Sequence, residues 1–200
     1  VRERHPRAKV VWFGESMGAL IAAHAWSEAP AGSDPPCDGL VLSSPIVRFR
    51  DDIPAWTPGL VQIAATTLPL ARVSLETLAG GQDVQMTQKS HHLEQAKTNP
   101  YHIEQHTLRL IGALTRLIDG MNDCATHFQA PVLVLHGGQD YFNNDSDLRG
   151  FVARIPAGTS KTYRNYPKAY HLLMYDEKRE AIFRDIERWV NRLRHDRLKN

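Results

Sequence analysis

The chain is short of cysteine. Two occur in 200 residues, Cys37 and Cys124, and neither sits in a CxxC pair, which excludes a disulfide framework. They leave one bridge open and otherwise read as small buried hydrophobes. The chain also lacks an excess of charge. Its 24 Lys+Arg against 22 Asp+Glu leave a formal +2, too small and too mixed for the basic stripe of a nucleic-acid binder. No apolar run approaches the roughly 18 residues of a membrane span. No charged-then-apolar leader opens the sequence. Together these absences set a cytoplasmic location as the expectation, and the start at Val1 rather than Met leaves room for an upstream segment. What is present is ordinary: 42% hydrophobic and 23% charged residues, the balance of a globular chain. At this length a domain buries roughly 70% of the surface its unfolded chain exposes, so one core with an inserted subdomain is expected.

Lys9–Phe13 is β-branched and aromatic and stops at Gly14, which predicts a buried strand. Met17–Ser27 is rich in Ala and apolar nearly all round, which predicts a buried helix. Ala29–Pro36 reads as a loop, and Gly39–Ser43 as a second buried strand ended by Pro45. From 51 to 126 the texture changes: prolines at 54, 58, 69 and 100, and no buried-strand pattern. Leu108, Ile111, Leu114, Leu117 and Ile118 recur at helical spacing, which predicts an amphipathic helix over about 101–120. The whole segment reads as an inserted helical cap, with 1–50 and 127–200 forming the core domain. Strand character returns at Pro131–Leu135. A helix over Ser146–Ile155, a weak strand over Lys161–Tyr166 and a last helix from about Asp176 follow. This alternation predicts an α/β fold with a mostly parallel sheet.

Gly14-Glu15-Ser16-Met17-Gly18 is a G-x-S-x-G sequence between a predicted strand and a predicted helix. By composition alone the pattern arises in roughly one chain of this length in twenty-five, so its setting must carry the argument. A sharp strand-to-helix turn lifts the Ser16 hydroxyl clear of the backbone. Glycines at 14 and 18 are expected because a Cβ at either would crowd the neighbouring chain. The helix N-terminus behind Ser16 favours negative charge, and the Met17 N–H is a candidate oxyanion donor. Two more residues complete the set. Asp140 follows the Val132–Leu135 strand, and His171 follows the weak final strand. Each belongs to the loop end of a separate strand, where open α/β folds build their sites. The chain order Ser, Asp, His is the order of α/β-hydrolases. Asp145 and Asp147 are the fallback acids.

On these residues the chain resembles the monoacylglycerol lipase and lysophospholipase-like branch of the serine α/β-hydrolases. The resemblance rests on Gly-Glu-Ser-Met-Gly (14–18), Leu-Ser-Ser-Pro (42–45), Pro-Val-Leu-Val-Leu-His-Gly-Gly-Gln-Asp (131–140) and Tyr-His-Leu-Leu (170–173). It implies the α/β-hydrolase fold with a cap, and a nucleophile Ser16, base His171 and acid Asp140. Acyl esters of glycerol or lysophospholipids are the implied substrates, and no metal or organic cofactor is needed. Two departures are mild: Ala19 stands where the family usually has a second glycine, and Glu15 where it often has His. A third is larger. The family begins with about four more strands and a His-Gly-x-Gly loop that supplies a second oxyanion donor, and neither precedes Ser16 here. The chain thus matches the C-terminal two-thirds of such a domain, and the Lys9–Phe13 strand is expected to be left with an unpaired edge. A catalytically silent fragment or pseudo-hydrolase serving as a binding module is the alternative, and a peptidase of the same superfamily the third reading.

The cap's Trp56, Leu60, Val61, Ile63, Leu68 and Leu70 are candidates for an acyl tunnel or a face that touches a membrane transiently, against plain helix packing. His102 and His106 have the i, i+4 spacing of metal ligands but no evident third ligand, and read as surface histidines, as do His91 and His92. The basic end from Arg188 to Lys199 reads as a solvated helix face.

Overall fold

A computed structural model describes residues 2–6, 8–29, 35–74, 84–88, 98–101 and 103–195. The elements in chain order are β1 (Val11–Glu15), α1 (Met17–Ser27), β2 (Gly39–Ser43), α2 (Thr57–Thr67), β3 (Arg72–Ser74), β4 (Gln105–Thr107) and α3 (Leu108–Thr126). They continue with β5 (Val132–Gly137), α4 (Asp145–Arg154), β6 (Lys161–Tyr166), a 3₁₀ turn at Leu173–Tyr175 and α5 (Arg179–His195). The chain has the expected α/β architecture. Four parallel strands form one sheet in the order β1-β2-β5-β6.

β2 and β5 are buried along their whole length, as continuous apolar runs must be when helices cover both faces. Alternate residues serve opposite layers. Leu40, Leu42, Val132 and Val134 face α1, the end of α3 and α4, in a core that includes Leu20, Trp26, Met121, Phe128, Leu148 and Phe151. Val41, Leu133 and Leu135 face the other way, onto Leu173 and the Ile182 and Trp189 stripe of α5. Trp26, Phe128 and Phe151 meet edge to face in series, with centroids 6.4 and 6.3 Å apart. Cys37 and Cys124 are both buried and unbridged. Cys37 Sγ points to the Gly39 carbonyl at 3.0 Å, and Cys124 Sγ lies 3.3 Å from the Ser27 hydroxyl.

Three expectations need correction. The first strand begins two residues later than the composition suggests and runs into the elbow, because Gly14 and Glu15 stay paired to Leu42 and Ser43. The segment read as wholly helical contains a small antiparallel ribbon, β3 against β4, with Val73 opposite His106. Three-residue strands are too short to show a period. The amphipathic helix starts at Leu108, where Thr107 caps it by accepting the Leu110 N–H at 3.3 Å, and it runs on to Thr126. Its first half packs on α2, with the Gln62 amide donating to the Gly112 carbonyl at 2.6 Å. Its second half enters the main core beneath α1, where His24 Nε2 meets the Leu117 carbonyl at 2.8 Å.

β1 and β6 are the outer strands of the sheet among the described residues, β1 paired with β2 alone and β6 with β5 alone. Phe13, Met17 and Ile21 near that edge are exposed. No helix among the described residues is long and apolar enough to cross a membrane. The sheet register aligns Glu15 with Ser43, Ser43 with Leu135, and Gly137 with Tyr166. The loops after β1, β5 and β6 therefore leave the sheet at one end, side by side.

Candidate active site

Ser16 occupies the turn between β1 and α1 at φ 53°, ψ −119°, a strained backbone for a residue with a side chain. The turn is held from below, where the Ser16 N–H donates to the Ser43 carbonyl at 2.9 Å. Gly14 makes the sharpness possible. A Cβ there would lie 2.3 Å from the Gly18 carbonyl oxygen and 2.6 Å from the Ala19 nitrogen. Gly18 does not share this constraint: a Cβ there meets nothing within 4 Å. The expectation that both glycines avoid crowding holds for Gly14 and fails for Gly18. Met17 is the first residue of α1, so its N–H is one of the first-turn donors that a helix's own ladder leaves free.

Asp140 ends the turn after β5. Its backbone N–H donates to the Gly137 carbonyl at 2.9 Å, and its Oδ1 accepts the Phe142 N–H at 2.8 Å. This fixes the carboxylate and aims Oδ2 at His171 Nδ1, 2.9 Å away. Both side chains are buried. On the other side of the ring, His171 Nε2 lies 2.8 Å from Ser16 Oγ. The carboxylate can only accept, so Nδ1 carries the proton and Nε2 presents a lone pair to the serine hydroxyl. Phe142 packs edge-on against the imidazole at 4.6 Å and shields it.

The acid turn and the histidine loop are bonded to each other through backbone. Gly138 N donates to the Tyr166 carbonyl and Gln139 N to the Ala169 carbonyl, each at 2.9 Å. Gly137 permits the approach, since a Cβ there would stand 2.1 Å from the Tyr170 carbonyl. Asp176, fully buried, accepts the Tyr170 N–H at 3.2 Å and the Lys178 N–H at 3.0 Å. Residues 84–88 also reach this loop: Leu172 N donates to the Met86 carbonyl at 2.8 Å and Gln88 Nε2 to the Lys168 carbonyl at 2.7 Å.

The structure thus brings Ser16, Asp140 and His171 together and leaves the fallback acids elsewhere. Asp147 closes the capping box of α4 and receives Arg48 at 3.0 Å. Asp145 Oδ1 accepts from the Tyr163 hydroxyl at 2.8 Å and from Asn165 at 2.6 Å. The Arg149 hydrogen bond, then the Tyr163 one, hold the Asp145 carboxyl down at about 2. A group lowered in this way stabilises the fold above its ordinary range near 3.8, and the contribution is lost as pH falls toward 2. Asp145→Asn is therefore expected to flatten the acid limb of a stability–pH curve between those values, by a small margin because the side chain is partly exposed.

Sequence reading missed Phe142, Asp176 and residues 84–88. Only the last had no signal at all; a buried aromatic and an acid beside the motif residues were visible but unranked. Trp56, Leu60, Ile63, Leu68 and Leu70 are exposed and Val61 is half-buried, so among the described residues they present apolar surface rather than an enclosed lining. His106 pairs in β4, while His91, His92, His102 and residues 196–200 lie outside the described residues. Among the described residues no three His, Cys, Asp or Glu gather as a metal site.

The sequence profile described as serine aminopeptidase, S33 matches residues 1–178. The chain belongs to this family. Its fold is that of the α/β-hydrolases. A monoacylglycerol lipase of Paleococcus ferrophilus superposes with a TM-score of 0.75 at 20% identity, covering 95% of this chain and 71% of the other. A soluble variant of monoglyceride lipase from Saccharomyces cerevisiae, in complex with a substrate analogue, gives 0.73 at 17% identity, covering 95% and 64%. A thermostable carboxyl esterase from Bacillus coagulans, in complex with glycerol, gives 0.73 at 14%, covering 96% and 67%. The chain spans about two thirds of the length of these three proteins. A comparison with curated proteins gives no match.

Proposed function

We propose that this S33 chain is a serine hydrolase of carboxylic esters, with Ser16 as nucleophile, His171 as base and Asp140 as its orienting acid. The observation that carries the reading is the pair of contacts on one buried imidazole, 2.8 Å to Ser16 Oγ and 2.9 Å to Asp140 Oδ2. His171 Nε2 takes the hydroxyl proton as Ser16 Oγ bonds to the acyl carbon, and the carbonyl π-pair moves onto oxygen. The Met17 N–H faces that oxyanion. When the tetrahedral species collapses, the C–O bond to the alcohol breaks and His171 returns the proton to the departing oxygen. Water then repeats the cycle on the acyl-serine. Removing a single oxyanion donor costs about 10²–10³ in turnover elsewhere, so a second donor beside Met17 matters to the rate of this chain.

Monoacylglycerol or lysophospholipid acyl esters are the substrates we assign; the names of the lipase neighbours support the first, and the second follows from the motif resemblance alone. In this reading residues 51–126 are the cap, and the exposed α2 face meets acyl chains or, transiently, a membrane surface from the cytoplasmic side. The family's own description as aminopeptidases favours the third reading, a peptidase with an amide substrate and an amine leaving group.

Intact-mass analysis after a fluorophosphonate probe tests the mechanism, and turnover of a monoacylglycerol beside an aminoacyl anilide tests the substrate. One adduct on the wild type and none on Ser16→Ala, with ester turnover dominant, is the expected result. Dominant anilide turnover would move the chain to the peptidase reading. A folded chain that takes no adduct would overturn the working hydrolase and leave a silent binding module.

A further inference from the structure

Glu15 is the last residue of β1, directly before Ser16, and it is a carboxylate in a largely buried place. Burial pushes its carboxyl above the ordinary range, against hydrogen bonds from Met174 and Ser43 and the charge of His171, which pull it down. A buried charge is costly unless it is hydrogen-bonded, and here one of its oxygens takes two bonds. Glu15 Oε1 accepts the Met174 N–H at 3.1 Å and the Ser43 hydroxyl at 3.3 Å. Ser43 is its register partner across the sheet, and the Ser43 carbonyl holds the Ser16 N–H. Met174 lies in the 3₁₀ turn that follows His171.

The histidine loop is therefore gripped at two places. Before His171, the acid turn and Asp176 hold residues 166–170. After it, Glu15 holds Met174. The second grip belongs to the strand that carries the nucleophile, so it closes a ring: Ser16, Glu15, Met174, His171 and back to Ser16 through the 2.8 Å contact. We propose that Glu15 is a positioning residue for His171, its carboxylate tying the turn behind the histidine to the strand that ends at the nucleophile. This rests on the Ser16–His171–Asp140 reading above. Glu15 plays a different part from Asp140. Asp140 bonds the ring itself, whereas Glu15 bonds the backbone that carries it. Among the described residues, the Asp140 carboxylate and the Ser16 hydroxyl bond the ring, and the Glu15 carboxylate acts on it by charge.

Two substitutions separate position from charge. Glu15→Gln keeps an acceptor oxygen for Met174 and Ser43 and removes the charge. Glu15→Ala removes both, and Glu15→Leu replaces it if the alanine chain does not fold. Amide exchange at Met174, read by NMR, is expected to accelerate more than about tenfold in Glu15→Ala and to stay near wild type in Glu15→Gln. Fluorophosphonate labelling of Ser16 is expected to slow about 10²-fold in Glu15→Ala, the scale of a misplaced catalytic group, and less than about tenfold in Glu15→Gln. The acid limb of the labelling profile should move to lower pH in Glu15→Gln, because the protonated ring loses a nearby anion. Wild-type exchange and labelling in Glu15→Ala would overturn the proposal. So would a Glu15→Gln chain as slow as Glu15→Ala with Met174 still protected. The exchange measurement needs no chemistry at Ser16, so a wild type that fails to label sinks the triad reading while Met174 still judges Glu15.

Discussion

Asp140→Asn is expected to lower ester turnover about 10⁴-fold while leaving the fold intact. The reason is hydrogen-bond direction. Asp140 Oδ1 accepts the Phe142 N–H at 2.8 Å, so the asparagine's one oxygen is claimed by that site. Its NH₂ then faces His171 Nδ1, which must turn from donor to acceptor. The ring proton moves to Nε2 and points at Ser16 Oγ across the 2.8 Å contact. A base already protonated at that nitrogen cannot take the serine proton. The shape of the site is unchanged, so urea midpoints should stay within about 1 kcal/mol of wild type. Turnover reduced less than tenfold would show that Asp140 does not set the tautomer.

Gly14→Ala should show the largest loss of stability, about 3 kcal/mol or more, against a typical total of about 5–15 kcal/mol. The added methyl would stand 2.3, 2.4 and 2.6 Å from the Gly18 oxygen, the Gly18 carbon and the Ala19 nitrogen. All three are backbone, so no side chain can swing away. Relief requires α1 to shift from β1, which opens the turn that holds Ser16. Gly18→Ala is the matched control. Its methyl meets nothing within 4 Å, and it replaces a helical glycine. Its stability should be unchanged or raised by up to about 1 kcal/mol. Urea unfolding of the two variants beside wild type measures both, and a Gly14→Ala midpoint equal to that of Gly18→Ala would count against the elbow geometry.

The middle of the main sheet was legible because β2 and β5 are continuous apolar runs, whereas β6 showed only a weak alternation; α1 was legible because Met17–Ser27 is mostly apolar and rich in Ala. The elbow was legible because Gly, Ser and Gly occupy a strand-to-helix junction. Asp140 and His171 could be ranked because each follows a strand in the order that the fold uses. The failures share a cause. β3 and β4 are three residues each, and a pairing between residues 72–74 and 105–107 leaves no periodic trace. The α3 boundary depended on Thr107, a cap that competes with many other threonines. The Glu15 bond to Met174 joins residues 159 positions apart, and local spacing carries no information about such a contact. Gly18 looked equivalent to Gly14 in the motif, and only the packing of α1 separates them.

The position of β1 has a consequence for how heat would disable this chain. β5, whose following turn ends at Asp140, is clamped between β2 and β6, whereas β1 and β6 each have one neighbour among the described residues. Local opening begins where backbone bonds are fewest and side chains most exposed, and Phe13 is 47% exposed. Ser16, Asp140 and His171 thus hang from supports of unequal strength: Asp140 beside an inner strand, Ser16 and His171 beside the two outer ones. On warming, the outer strands are expected to loosen before β2 and β5 do, so probe labelling at Ser16 should fall before the chain unfolds. Whatever pairs with the rim of the sheet sets the gap between the two temperatures.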